Sequence, residues 1–193
     1  MKYPNFSEEK KLWKRGYKFV AGLDEAGRGP LAGPVVVAAV NLKFKISNLK
    51  SILNDPIFKK IKDSKKLSAL QREEIYKILT NHKNIKWGTG IVSEKVIDKI
   101  NILQATKLAM KKAVLNLLSR NFYDREKNGT LDFLLIDGNF KLDLSPAAFA
   151  KGFGSPKQKS IVKGDQKVFS VAVASIIAKV TRDRLMKKYH KKY

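Results

Sequence analysis

The sequence contains no cysteine and only two histidines, His82 and His190, each set among lysines. The first absence excludes disulfides and thiolate metal sites. The second leaves no histidine cluster, and both histidines read as solvated surface side chains. Acids are scarce as well: 17 Asp and Glu stand against 40 Lys and Arg, for a net charge of +23 and a pI near 10.1. Such an imbalance costs self-repulsion in the compact state and marks a polyanionic partner. No apolar run approaches the ~18 residues that cross a bilayer, and the polar stretch Met1 to Arg15 has no signal-peptide apolar core. The expectation is a cytoplasmic protein whose partner is nucleic acid, not a membrane. Any metal must be held by oxygen, which favours Mg²⁺ or Mn²⁺ over zinc.

What is present is a globular pattern. With 193 residues, 44% of them apolar, the chain reads as one domain over 1–193. Tyr17 to Leu23 is an expected strand that delivers Asp24 at its end, and Gly27 to Pro34 a tight turn and loop. Val35 to Val40 is a strand apolar on both faces, Ile85 to Val92 a strand weakened by its glycines, and Phe133 to Ile136 a third, ending at Asp137-Gly138. Lys45 to Lys66 reads as basic and irregular with one helical turn near Ile57 to Ile61, and Lys141 to Ile161 as loop. Ser68 and Gln71 have capping-box spacing before a helix to about Thr80. A short helix runs from Ser93 to Ile100, and a second starts at Asn101 with one apolar face. A last helix covers Val168 to Tyr189. Strands and helices mix without strict alternation, so the fold class is α/β or α+β around one mixed sheet.

Four acids stand apart. Asp24 with Glu25, and Asp137, end apolar strands near a glycine, and Asp165 follows a glycine before a small-residue helix. Ends of neighbouring strands cluster, so these carboxylates can converge on one rim. Converging carboxylates repel unless a cation sits between them, and a pair of Mg²⁺ ions suits phosphodiester hydrolysis. Gly27-Arg28-Gly29 offers bare backbone N–H groups and a guanidinium fork to a phosphate or sugar. Its spacing to Gly33 is one residue too long for a dinucleotide fingerprint, and Pro30 removes an N–H. Ser64, Lys65 and Lys66, just before a helix N-terminus, suit a backbone phosphate.

These segments resemble the blocks of type 2 ribonucleases H. Ala21 to Val35 is similar to the family's opening signature, Asp63 to Leu67 to its second block, and Asn101 to Thr106 with Ala109-Met110 to its third. Ile136 to Asn139 resembles the strand-end block, and Lys163-Gly164-Asp165 with Ala174 to Asp183 the last. The resemblance implies a ribonuclease H-like mixed sheet flanked by helices. It also implies metal-dependent cleavage of the RNA strand of RNA/DNA hybrids and at ribonucleotides embedded in duplex DNA, leaving 3′-hydroxyl and 5′-phosphate ends. Asp24, Glu25, Asp137 and Asp165 would be the metal-holding catalytic acids. Gly27, Arg28 and Gly29 would sense the ribose 2′-hydroxyl, and Asp183 would be structural. The family pattern continues past the last helix to a tyrosine at the substrate sugar, so the resemblance implies a form without that segment, acting as a monomer. The stretch Lys151 to Lys159 is expected to form an extra basic loop near the substrate. Two other readings stay open at this point: a basic nucleic-acid-binding module of the same fold, and a DNA nuclease or recombinase.

Overall fold

All eight residues of Val35–Leu42 (β2) are buried, which explains why the run is apolar but for Asn41, whose amide donates to the Val20 carbonyl at 2.8 Å. Val35, Val37 and Ala39 face one hydrophobic cluster while Ala38, Val40 and Leu42 face another. A strand at the centre of a two-sided core has no polar face to offer. β2 pairs antiparallel with Val20–Ala26 (β1) and with Ile85–Val92 (β3). β1 in turn pairs in parallel with Phe133–Asp137 (β4), and β4 with Lys157–Ile161 (β5). The outcome is a mixed five-stranded sheet of order β3-β2-β1-β4-β5, flanked by helices, in a computed structural model that describes residues 3–44, 47, 49–54, 56–61, 67–120, 131–144 and 155–192.

Six helices are described: Ser7–Lys14 (α1), Leu49–Asn54 (α2), Pro56–Lys60 (α3), Ala69–Asn81 (α4), Glu94–Arg120 (α5) and Phe169–His190 (α6). The capping box forms at α4, with the Gln71 N–H donating to Ser68 Oγ (3.2 Å) and the Ser68 N–H to Gln71 Oε1 (2.9 Å). α5 is broken at Asn101, which sits at φ 65° and whose side chain accepts from the Gln104 N–H at 3.1 Å. The Asn101 side chain caps the segment that follows, so the two expected helices are both present and meet at a sharp joint at Asn101.

The glycines of β3 do not weaken it; they admit α5. A Cβ at Gly90 would lie 2.0 Å from the Ala109 carbonyl oxygen, and one at Gly88 2.2 Å from the Leu117 nitrogen. Three other expectations are corrected. The basic stretch after residue 45 holds two short helices, α2 and α3, whose Leu49 and Phe58 reach the core. Lys157–Ile161, expected to be loop, is an edge strand of the sheet, so residues 157–159 of the expected basic loop belong to β5; residues 151–154 lie outside the described residues. His82 is half-buried rather than solvated. Its ring meets Phe44 and Phe58 edge-on, and its Nδ1 accepts from the Asn84 N–H at 3.1 Å.

α1 docks on the start of α6. Phe6 stacks on Phe169 with ring centroids 4.3 Å apart, and the buried Glu9 accepts from the Ser170 N–H at 2.8 Å. A carboxylate satisfies an otherwise unpaired helix N-terminal donor here. Burial nevertheless pushes the Glu9 carboxyl up from its ordinary 4.5 to about 7. The folded state therefore favours the protonated form. Its contribution is complete below pH 4.5 and is lost as the pH rises to about 7. At roughly 1.4 kcal/mol per pH unit the loss approaches about 3 kcal/mol. Denaturant titrations of Glu9→Gln between pH 4 and 8 should show this decline removed, with the variant gaining on the wild type as pH rises. An unchanged slope would place the titrating group elsewhere.

Candidate active site

The register of the sheet brings the acids together. The last β1–β4 pair is Leu23 with Ile136, so Asp24 and Asp137 come next on neighbouring parallel strands. β1 itself does not stop at Asp24, as the apolar pattern predicts. It runs on to Ala26, because Asp24, Glu25 and Ala26 still pair with Ala38, Val37 and Val36 of β2. The acids thus ride on a strand held from one side while the other side opens into a pocket. Carboxylate oxygens of Asp24, Glu25 and Asp137 all lie within 4.8 Å of one another.

Asp165 lines the same pocket, though it is not one of the three acids inside that 4.8 Å cluster. The Lys163-Gly164-Asp165 turn is tied to β4 directly: the Gly164 N–H donates to Asp137 Oδ1 at 2.6 Å. Lys163 is left-handed (φ 57°) and Gly164–Gln166 forms one 3₁₀ turn, which tucks the buried Asp165 under the rim before α6 begins. Asp24 is 4% exposed. Its carboxyl is raised well above the ordinary range, first by burial and then by the neighbouring Glu25 and Asp137 charges, while the Ser175 hydroxyl and Glu25 N–H oppose the shift. Burial also raises the Glu25 carboxyl; its ion pair with Arg28 (3.2 Å) opposes this and the Asp137 charge adds to it. Glu25 Oε2 is buried with no hydrogen-bond partner among the described residues.

The Gly-Arg-Gly turn flanks these acids. Gly27 (φ 106°) and Gly33 (φ 89°) bracket the loop in a backbone conformation that side chains disfavour. Arg28 pairs with Glu25 and lies 5.9 Å from the centre of the Phe140 ring. The whole constellation surrounds a pocket of about 400 Å³ lined by Asp24 to Pro30, Asp137, Asp165, Ser175, Lys179 and Arg182.

A family model described as Ribonuclease HII matches residues 21–193. The chain belongs to that family. It is 49% identical to the ribonuclease HII of Acetivibrio thermocellus over 185 residues, 96% of this chain and 60% of the relative, so it spans about 60% of that protein's length. Among solved structures, the ribonuclease H2 of Pyrococcus horikoshii is 29% identical with a TM-score of 0.62, over 90% of this chain and 76% of that one. Bst-RNase HIII in complex with Mn²⁺ shares the fold at 19% identity and a TM-score of 0.67, over 91% of this chain and 55% of that one.

The structure thus gathers Asp24, Glu25, Asp137, Asp165, Gly27, Arg28 and Gly29 at one pocket. Ser64, Lys65 and Lys66 lie outside the described residues. The sequence reading missed Ser175, Lys179 and Arg182. Their spacing (i, i+4, i+7) was the available signal: it makes one polar stripe on a helix whose first half is otherwise small and apolar. Asp183, on the same helix, pairs with Lys179 (2.6 Å) and approaches Arg72 (3.9 Å), and it does not line the pocket that holds the acids.

Proposed function

We propose that residues 1–193 form the catalytic domain of an endoribonuclease that cleaves the RNA strand of RNA/DNA hybrids and cleaves at ribonucleotides embedded in duplex DNA, leaving 3′-hydroxyl and 5′-phosphate ends. The observation that carries this reading is the meeting of three carboxylates within 4.8 Å in a chain of net charge +23. Like charges this close in a buried rim repel, and a hard divalent cation relieves that.

The donor set fits such an ion: every donor is a carboxylate oxygen, and the orphaned Glu25 Oε2 has a lone pair to give. Asp24, Glu25 and Asp137 would hold it, with Asp165 as the fourth acid at the pocket, and Mg²⁺ or Mn²⁺ would be accepted. When bound, divalent cations supply nucleophile activation and stabilise charge on the departing 3′-oxygen. The Mn²⁺ complex of Bst-RNase HIII, a fold neighbour, is consistent with this choice.

The rest of the site binds and orients. Arg28 sits where it can leave Glu25 for a phosphate, and its fork suits that oxygen geometry. A Cβ at Gly29 would meet nothing within 4 Å, so no packing inside the protein calls for a bare backbone there. A partner approaching closely does, and the ribose 2′-hydroxyl is the group that separates RNA from DNA. Ser64, Lys65 and Lys66 would take a backbone phosphate, and the protein would act as a monomer in the cytoplasm. The test is incubation of labelled all-DNA, hybrid and single-ribonucleotide duplexes with Mg²⁺ or Mn²⁺. Cleavage confined to the ribose-containing strands, abolished by EDTA and restored by either metal, is expected. Cutting of all-DNA, or hybrid binding with no cleavage under any metal, would overturn the reading.

A further inference from the structure

Arg182 is a buried cation held by backbone carbonyls. It is 7% exposed and makes no ion pair among the described residues. Its Nε donates to the Pro34 carbonyl at 3.0 Å and its Nη2 to the Ala32 carbonyl at 2.9 Å. A buried charge is costly unless it is hydrogen-bonded, and here one planar fork is satisfied by two carbonyls of a single loop. That loop runs from Gly27 to Pro34, with positive-φ joints at Gly27 and Gly33. A Cβ at Gly27 would lie 2.5 Å from Arg182 Nε, and one at Gly33 3.4 Å from Arg182 Nη2 and 2.5 Å from Met186 Sδ. Both positive-φ joints of the loop therefore rest on one face of α6. What the clamp leaves outside is the recognition side: the Arg28 side chain is 41% exposed and Leu31 is fully exposed.

We propose that Arg182 is a positioning residue: it fixes the Gly27–Gly33 loop from beneath and so sets how strongly the site prefers a ribose-containing strand over DNA. This rests on the proposed function for its substrate, but not for the clamp itself. Lysine cannot substitute fully, since its point charge does not span two carbonyls as a guanidinium fork does. Asp24, Glu25 and Asp137 stand on strands held by sheet pairing, outside the loop that Arg182 clamps, so the effect falls on substrate placement before it falls on the metal cage.

Two readouts test it in Arg182→Met and Arg182→Lys. Hydrogen–deuterium exchange over residues 27–34 should speed up in Arg182→Met and less so in Arg182→Lys. Affinities for hybrid and all-DNA duplexes are then measured in an Asp24→Asn background, where cleavage is silent. The hybrid-to-DNA ratio should fall about tenfold or more, with hybrid affinity lowered and DNA affinity kept, the size expected when a charge-assisted contact to the substrate is misplaced. In the cleaving enzyme KM should rise more than kcat falls. A general loss of structure would lower both affinities together. If Arg182→Met does not fold, Arg182→Lys carries both comparisons. Unchanged loop exchange overturns the clamp, and faster exchange with an unchanged ratio overturns its link to sugar selectivity. A parent protein with no hybrid preference would sink the substrate reading instead, and the exchange data would still decide the clamp.

Discussion

Asp24→Asn is expected to lower hybrid cleavage by roughly 10³-fold or more, about 4 kcal/mol of barrier, while raising the melting temperature of the metal-free protein. The two effects have one cause. Asp24 is buried against Glu25 and Asp137, an arrangement that costs stability until a cation neutralises it. Asparagine keeps the shape and the acceptor oxygen for the Glu25 N–H, now at 2.8 Å, and removes the repulsion. Each kcal/mol gained would raise Tm by about 2–4 °C in a chain of this size. Adding Mg²⁺ or Mn²⁺ should stabilise the wild type, by about 2.7 kcal/mol at a hundred times Kd, and should stabilise the variant far less. Duplex binding, carried by the basic surface, should survive. A variant that still cuts, or one that melts lower than the metal-free wild type, would remove Asp24 from the cage. The trade of stability for activity is what a site built from like charges implies.

Local signals were legible where one residue decides the geometry. Ser68 and Gln71 announce their helix start, and Asn101 marks the joint at which one expected helix gives way to the next. The acids were legible because carboxylates at the ends of apolar strands are out of place. The pairing that puts Asp24 beside Asp137 was not, since register is a property of two strands whose paired residues lie 113 positions apart in the chain. β5 was hidden for a simpler reason. Its sequence, Lys157-Gln158-Lys159-Ser160-Ile161, is polar because it is an exposed edge, and lysines are how such edges are kept from pairing further. Arg182 was hidden because its partners are carbonyl oxygens of Ala32 and Pro34, which no side-chain pattern reports.

Gly22→Ala is expected to cost both fold and function, and for a reason invisible in the strand itself. Gly22 lies on the face of β1 that carries Asp24, where α6 crosses. An added Cβ would sit 2.5 Å from Ser170 Oγ and 2.6 Å from the Ser170 carbonyl carbon and the Val171 nitrogen. The last two are backbone and cannot rotate aside, so the helix must move or the strand must bend. Overpacking of this kind costs about 1–3 kcal/mol. The displacement falls on the element that carries Ser175, Lys179 and Arg182 into the pocket. Cleavage should therefore drop by more than the unfolded fraction explains, measured well below the variant's melting temperature. Gly29→Ala is the matched control. Its Cβ has open space, so stability should hold within about 0.5 kcal/mol, while the proposed ribose contact predicts a fall in hybrid affinity. If Gly29→Ala binds hybrid as well as the parent, the turn does not read the sugar. If Gly22→Ala is as stable and active as the parent, the close seat of α6 on β1 does not hold the site.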